Sequence, residues 1–510
     1  MSIPNVLRSG VRNESQDLQI TTDVLEPNVL NQNQVVFVIP KKASVLDSKS
    51  ALKVRVNWNT WANNVDTDLG GKLFSGLLGM IKTARLYASG QLISRLDHAG
   101  EKIHLDNQYK SQEYKEQYCD VKHSSSSGFL LDPATANSGA SGSIMPDDFT
   151  SGRTVAQPSV VSTDPYFRAI GCKKGQGTTI GSENIKGDNG LEMFILLEEL
   201  FPMLRDIQLP VRFMKDEIRL EIDWEQDKDR WIYQSGTAIA DINNAGIEIS
   251  DCVLFLDYIT YNAEIDSALE QQLSSSGVSI PFRQTAVITK QLNGLENNEV
   301  DASEDVLLGQ EGRAVMKVYC AKKYPKVLTG LTGNVNQGHA LQGECRSERL
   351  LGEKFNLVVN DLLIFDRDVE NNHEGYSYLS YAGESAYTAY PDSFEYNDNY
   401  NANAPTTDIL SVSDQAGGND PVILGRGGTI GYSKDGIRGQ QNYIGIDLSK
   451  YGEVLNPANA LRIGATPIIL RLKRSSGTDV RTKGVVSLVV FVEYLRLFDL
   501  RAGEVAVRDL

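Results

Sequence analysis

"LEMFILLEELFPMLRDIQLPVRFMKDEIRLEIDW" occupies Leu191–Trp224. Its second half alternates strictly: Ile218, Leu220, Ile222 and Trp224 fall on one side, Arg219, Glu221 and Asp223 on the other. A period of two is the mark of a strand with one buried face. The first half is apolar almost throughout and reads as a strand, although Met193, Leu196, Leu197 and Leu200 also fit helical spacing. Pro202 and Pro210 would break a continuous central strand. They are expected at bends where the chain leaves one strand, crosses the end of a barrel and enters the next. The row Arg219, Glu221, Asp223 is expected to face solvent or a neighbouring subunit.

The same alternation recurs along the chain. "LKVRVNW" (Leu52–Trp58) places Leu52, Val54, Val56 and Trp58 opposite Lys53, Arg55 and Asn57. "ARLYASGQLISRL" (Ala84–Leu96) reads as two strands around a tight Ser89-Gly90 turn. Ile247–Asn262, Arg313–Lys322, Pro467–Arg474 and Val485–Phe498 continue the series; the last is apolar on both faces, as a strand between two layers would be. Helical signals are few: Ser267–Ser275, with Leu269 and Leu273 four apart, Lys72–Ile81, and a short run near Glu113. Strands without intervening long helices exclude a parallel α/β sheet and indicate an all-β fold of sandwiches or jelly rolls. The Ser/Gly-rich joint near Ser274–Gly277 divides the 510 residues into two β domains of similar size, with no sequence repeat between them.

Composition narrows the function. A net charge of −16 argues against a nucleic-acid-binding body, which needs a Lys/Arg excess to neutralise phosphate. Cys119, Cys172, Cys252, Cys320 and Cys345 are unclustered, without CxxC spacing, so neither a disulfide framework nor a zinc site is expected. Cys252 and Cys320 sit in strand-like runs and read as small core residues. The N-terminus has no apolar stretch typical of a secretory signal, and the longest apolar run, Val485–Val492, falls short of the roughly 20 residues of a membrane helix.

Candidate chemistry is thin. Gly175–Gly181 and Gly425–Gly431 are glycine-rich but lack phosphate-loop spacing and a strand-to-helix setting. His98, His104, His123, His339 and His373 are scattered. Asn64, Asp66 and Asp68 begin like a calcium loop, but position 12 is Ser75; Asp366–Glu374 gathers oxygen ligands without the turn glycine. Glu198 with Glu199 would point to opposite faces of a strand, and Glu221 with Asp223 share one face, so neither pair flanks a substrate. No catalytic, cofactor-binding or metal-binding residue is assigned, and no cofactor is expected.

Several segments taken together resemble the double jelly-roll major capsid proteins of polinton-like viruses and virophages, in the double-stranded DNA virus lineage. "VVFVIPKKASVLDSKSALKVRVNW" (Val35–Trp58) is similar to that family's opening strands, and "MIKTARLYASGQLISRLDHAG" (Met80–Gly100) to its next hairpin. "LFPMLRDIQLPVRFMKDEIRLEIDW" (Leu200–Trp224) looks like the end of the first jelly roll. In the second half, Asn356–Leu379, Asn442–Leu472 and Val489–Leu500 look like the late strands. The resemblance covers most of residues 35–500 in runs of roughly ten to thirty residues, and thins in 124–189 and 376–440.

The resemblance implies two tandem antiparallel eight-stranded jelly rolls: an N-terminal tail (1–29), jelly roll 1 (30–266, long loop 124–189), a linker (267–277), jelly roll 2 (278–500, long loops about 330–345 and 376–440) and a C-terminal tail (501–510). It implies a non-enzymatic protein of the virion, assembled inside the host cell as pseudo-hexagonal homotrimeric capsomers tiling an icosahedral shell. Expected partners are neighbouring capsomers, a penton protein and minor or cement proteins, without sequence-specific nucleic-acid binding. The Tyr-rich segment 376–403 is a candidate host-surface contact. The competing readings are a β-sandwich fibre, adhesion or carbohydrate-binding protein and, third, a β-sandwich glycosidase or lyase.

Overall fold

Alternation becomes paired strands in the computed structural model. It describes residues 19–42, 45–60, 71–73, 77–108, 191–226, 232–234, 246–294, 301–323, 353–370, 443–449, 460–475 and 485–510, with 143–144, 154–155, 169–170, 347 and 378. The helix expected near Glu113, both glycine-rich loops, Asn64–Asp68, Cys119, Cys172, Cys345, His123, His339, His373 and segment 376–403 lie outside the described residues, Tyr378 excepted.

The first half contributes β1 (Gln19–Leu25), β2 (Gln34–Ile39), β3 (Ala51–Thr60), β4 (Ile81–Ala88), β5 (Gln91–Asp97), β6 (Leu191–Leu196), β7 (Ile218–Trp224) and β8 (Gly246–Thr260). They form two antiparallel sheets with strand orders β1-β8-β3-β6 and β2-β7-β4-β5. The second half contributes β9 (Val278–Leu292), β10 (Asp301–Gly309), β11 (Ala314–Lys323), β12 (Lys354–Val359), β13 (Leu362–Leu363), β14 (Ile444–Asp447), β15 (Ile468–Ser475) and β16 (Val486–Arg501). Its sheets run β9-β16-β11-β14 and β10-β15-β12-β13. Numbered from its own first strand, each half therefore has the same permutation, 1-8-3-6 facing 2-7-4-5, which is the double-sheet jelly roll. A final strand, β17 (Glu504–Asp509), hairpins back onto β16, and short pieces such as Val29–Leu30 and Val45–Leu46 pair at the sheet margins.

Registry repeats as well. Leu220 of β7 lies opposite Phe37 and Leu86, and Leu470 of β15 opposite Val306 and Leu357. In the other sheets Val54 is flanked by Cys252 and Met193, and Cys320 by Val490 and Ile444. All of these residues are buried. Cys252 and Cys320 are core residues, their thiols raised by burial, Cys320 to about 12. On β8, a register shift between Ile249 and Asp251 lets residues three apart, Ile249 and Cys252, both point inward. The β4–β5 and β12–β13 hairpins occupy equivalent places, and both turn pairs, Ser89-Gly90 and Asn360-Asp361, have positive φ. That is the type I′ geometry matched to strand twist.

The opening stretch resolves into both of its readings. Leu191–Leu196 is strand β6; Leu197–Leu200 and Met203–Asp206 are helical turns, α3 and α4, and Pro202 stands at the head of α4. Pro210 precedes a 3-10 turn at Val211–Phe213, after which β7 begins in the opposite sheet. The prolines thus lie in the crossover between sheets. α5 (Ala263–Ser275), capped by Asn262, whose Oδ1 accepts the Ile265 N–H at 2.8 Å, joins the halves and starts earlier than the linker expected from 267. β1 and β17 lie within the segments expected as tails.

The backbone N–H of Lys215, ahead of β7, bonds the carbonyl of Gly503, just after β16, so the same end of each barrel meets its counterpart and both stand the same way up. Connections β3–β4, β5–β6 and β7–β8, and their counterparts β11–β12 and β13–β14, all leave by one end, and the longest, β5–β6 and β13–β14, are among them. The other end carries the short Ser89-Gly90, 310–313 and Asn360-Asp361 turns together with the β6–β7 and β14–β15 crossovers.

Leu220→Ala and Leu470→Ala each remove a fully buried side chain from the middle of a sheet and should cost about 2–5 kcal/mol, read from urea midpoints. Leu307→Ala, at an exposed position, should shift stability by no more than about 0.5 kcal/mol.

Candidate functional site

Polar and apolar groups converge where the two barrels meet. After β5 the chain forms α2 (Ala99–Gln108), and every residue from Ala99 to Leu105 is buried. Ile103 joins the first barrel's core, while Leu105 packs on Tyr319, Ala321, Tyr443, Val489 and Phe491 of the second. α2 lies so close to α1 (Leu77–Met80) that a Cβ on Gly100 would sit 1.6 Å from the Leu78 carbonyl oxygen. Only glycine fits there.

Lys102 is carried into this seam with its side chain almost fully buried. Its ammonium bonds Asp106 one turn on and Glu493 of β16 at 2.7 Å, and lies 5.2 Å from the centre of the Tyr319 ring. Burial alone would lower the Lys102 pKa, but Asp106 and Glu493 outweigh it and hold the group above its ordinary value. Burial likewise opposes ionisation of Glu493, yet Lys102 and then Lys317 bring it down from 4.5 to about 2. Each charge is sustained by the other.

Lower in the seam, Asp206 of α4 accepts from the Arg283 guanidinium at 3.1 and 3.2 Å and from the Arg283 backbone N–H at 3.1 Å. The Gln284 side-chain amide donates to the Arg95 carbonyl of β5. At the base the Lys215 N–H donates to the Gly503 carbonyl at 2.9 Å, Lys215 pairs with Glu504, and the Ala502 N–H donates to the Leu273 carbonyl. Leu269, Leu273, Ile280, Phe282, Phe498 and Leu500 continue the first barrel's core across the joint. The seam is thus ionic above and below with an apolar middle, an arrangement that fixes two bodies in one orientation.

The carboxylates weighed from the sequence are engaged elsewhere. Arg85 bonds Asp223 and reaches Glu221 at 3.4 Å; Arg219 pairs with Glu221 at 2.9 Å and stacks on Tyr87. Glu221, expected to be an exposed wall residue, is largely covered by these arginines. Glu199 accepts the Leu196 N–H at 3.3 Å, and Glu198 and Glu199 belong to a helical turn rather than a strand. Asp368 is held below the carboxylate range, first by its hydrogen bond with Lys473 and then by Asn356. His98 lies 3.8 Å from Glu101. Among the described residues no group of three or more metal-ligating side chains stands together, and no helix is long and apolar enough to cross a membrane.

α2 itself has no counterpart among the helices expected from the sequence. Ile103 and Leu105 are two apart because the helix is buried on opposite sides by different barrels, so it shows no single apolar stripe. The available signal was Lys102 with Asp106, four apart.

No family model matches the chain, and no curated protein matches it. Solved structures do. A chain of the Sputnik virophage is 11% identical, with a TM-score of 0.55 over 100% of this chain and 93% of that one. PBCV-1 VP54, as fitted to virophage Sputnik, is 10% identical at a TM-score of 0.52, covering 98% and 99%. The Faustovirus major capsid protein is 10% identical at 0.51, covering 96% and 92%. The likeness spans both barrels and establishes the fold as a double jelly roll.

Glu493→Gln should destabilise the protein at pH 7 towards the lower end of the about 3–5 kcal/mol typical of breaking a buried ion pair, since Asp106 still faces Lys102. The Glu493 charge contributes fully above about pH 4.5 and its contribution fades as pH falls towards 2. The gap between variant and wild type should therefore narrow over that range in urea titrations. An equal gap at pH 7 and pH 3 would contradict the linkage.

Proposed function

We propose that the chain is a major capsid protein: a non-enzymatic tile of the virion that assembles as pseudo-hexagonal homotrimeric capsomers in an icosahedral shell around double-stranded DNA. The observation that carries this reading is the pairing of two jelly rolls of identical permutation, the same way up and locked by the α2 seam. Such a chain presents two near-equivalent upright blocks, and three copies supply six. The full-length likeness to capsid proteins supports the same reading.

In this reading residues 30–266 and 278–500 are the two jelly rolls and 267–277 the linker, with β1 added to the first barrel and β17 closing the second. The short-turn end faces inward and the end with the long connections faces outward, which gives 376–403 a place for host contact. A net charge of −16 keeps the tile from binding DNA through its body and suits contact with neighbouring capsomers, a penton protein and cement proteins. The ion-paired outer face around Arg85, Glu221 and Asp223 suits a polar lateral wall.

Light scattering on the purified protein should give a trimer, and negative-stain microscopy a hexagonal outline. A stable monomer under assembly conditions would count against the capsomer reading, and slender fibres would favour the adhesion alternative.

A further inference from the structure

Within the chain, the barrels meet along edge strands. β5 is the edge of one sheet of the first barrel and β9 the edge of a sheet in the second. The two strands pack together, and Gln284 of β9 bonds the Arg95 carbonyl of β5. Unpaired edges invite association with other chains, and this contact removes two of them.

The repeated permutation creates a second pair of corresponding edges. The strand of the second barrel equivalent to β5 is β13, and the strand of the first barrel equivalent to β9 is β1. Both carry apolar side chains into solvent. Leu362 and Leu363 on β13 are 70% and 50% exposed; Ile20 and Val24 on β1 are 65% and 59% exposed. Among the described residues five large hydrophobics are at least half exposed, and four of them lie on these two strands; the fifth is Leu307 on β10. The stripe on β1 continues inward along its sheet: Ile20 is opposite Ile259 and Val24 opposite Phe255, whose ring centre lies 6.3 Å from that of Phe194. Exposed apolar surface gathered on particular strands marks an association site.

We propose that β13 of one copy docks against β1 of a second copy of this chain, repeating between chains the β5–β9 contact made within each. The inference rests on the homotrimer reading and specifies which surfaces make it. The contact is heterologous, joining two different strands, and such a contact closes into a ring when the rotation it imposes divides a full turn. Each chain contributes one internal and one external junction of the same kind, and three chains close a ring of six barrels.

The test uses the full chain. Val24→Asp and Leu363→Asp, made separately, each place a charge in the proposed contact; both positions are exposed, so circular dichroism should be unchanged. Each variant should lose the trimer and run as a monomer in light scattering, whereas Leu307→Asp should remain trimeric. Mixing Val24→Cys chains with Leu363→Cys chains and adding a short thiol-to-thiol crosslinker should join position 24 of one copy to position 363 of another, identified by mass spectrometry. A monomeric wild type removes the trimer reading and this contact together. A trimeric wild type whose two aspartate variants also stay trimeric overturns the contact alone. Crosslinks joining 24 to 24 or 363 to 363 overturn its head-to-tail sense. Variants that stay trimeric but lose a minor capsid protein assign the stripe to that partner instead.

Discussion

The central strand of the second barrel is apolar on both faces, and a sheet built around such a strand must be covered on both sides. Val486, Leu488, Val490 and Val492 of β16 line its own core, while Val489 and Phe491 point outward. Leu105 of α2 helps cover that outer face, and α2 belongs to the first barrel. The second barrel is therefore completed by the first. The position of α2, its close approach to Leu78 at Gly100, and the Lys102–Glu493 pair all follow from that need.

Much of this was legible in the sequence because strands in a sandwich have one wet face and one dry one. Leu52–Val56 and Ile218–Trp224 alternate, and both are strands with the expected residues inside. The double-sided burial of Val485–Phe498 was also readable, since a β-branched run without polar alternation has no wet face. Leu191–Asp206 was ambiguous for a physical reason: it passes from strand to helical turns within one largely buried run, so neither period holds throughout. Arg219, Glu221 and Asp223 do share one face of β7, but the degree to which arginines from β4 and β7 cover Glu221 depends on cross-strand registry, which one strand's sequence does not contain.

The duplication lay beyond the sequence altogether. The halves share no repeat, yet they share strand permutation, the Phe37–Leu220–Leu86 and Val306–Leu470–Leu357 rows, and a type I′ turn at the same hairpin. What the two barrels hold in common is a set of constraints: an apolar residue at each inward position and a positive-φ pair where the chain reverses. Many sequences satisfy those constraints. Phe and Val can occupy equivalent rows, and Ser-Gly can correspond to Asn-Asp, without any detectable likeness of the residues themselves.

A seam made only of apolar groups would hold the barrels together but would tolerate sliding, because hydrophobic contact is non-directional. The ionic contacts are what fix the angle. Displacing α2 along β16 would leave the Lys102 ammonium buried beside one carboxylate instead of two, and strand Glu493 without its nearest cation. Breaking a buried pair costs about 3–5 kcal/mol, far more than the few tenths lost by shifting an apolar contact by a fraction of an ångström. The Asp206–Arg283 fork applies the same restraint at a second point. Two restraints at different heights oppose rotation as well as sliding, which holds the outer edges β1 and β13 at a fixed separation.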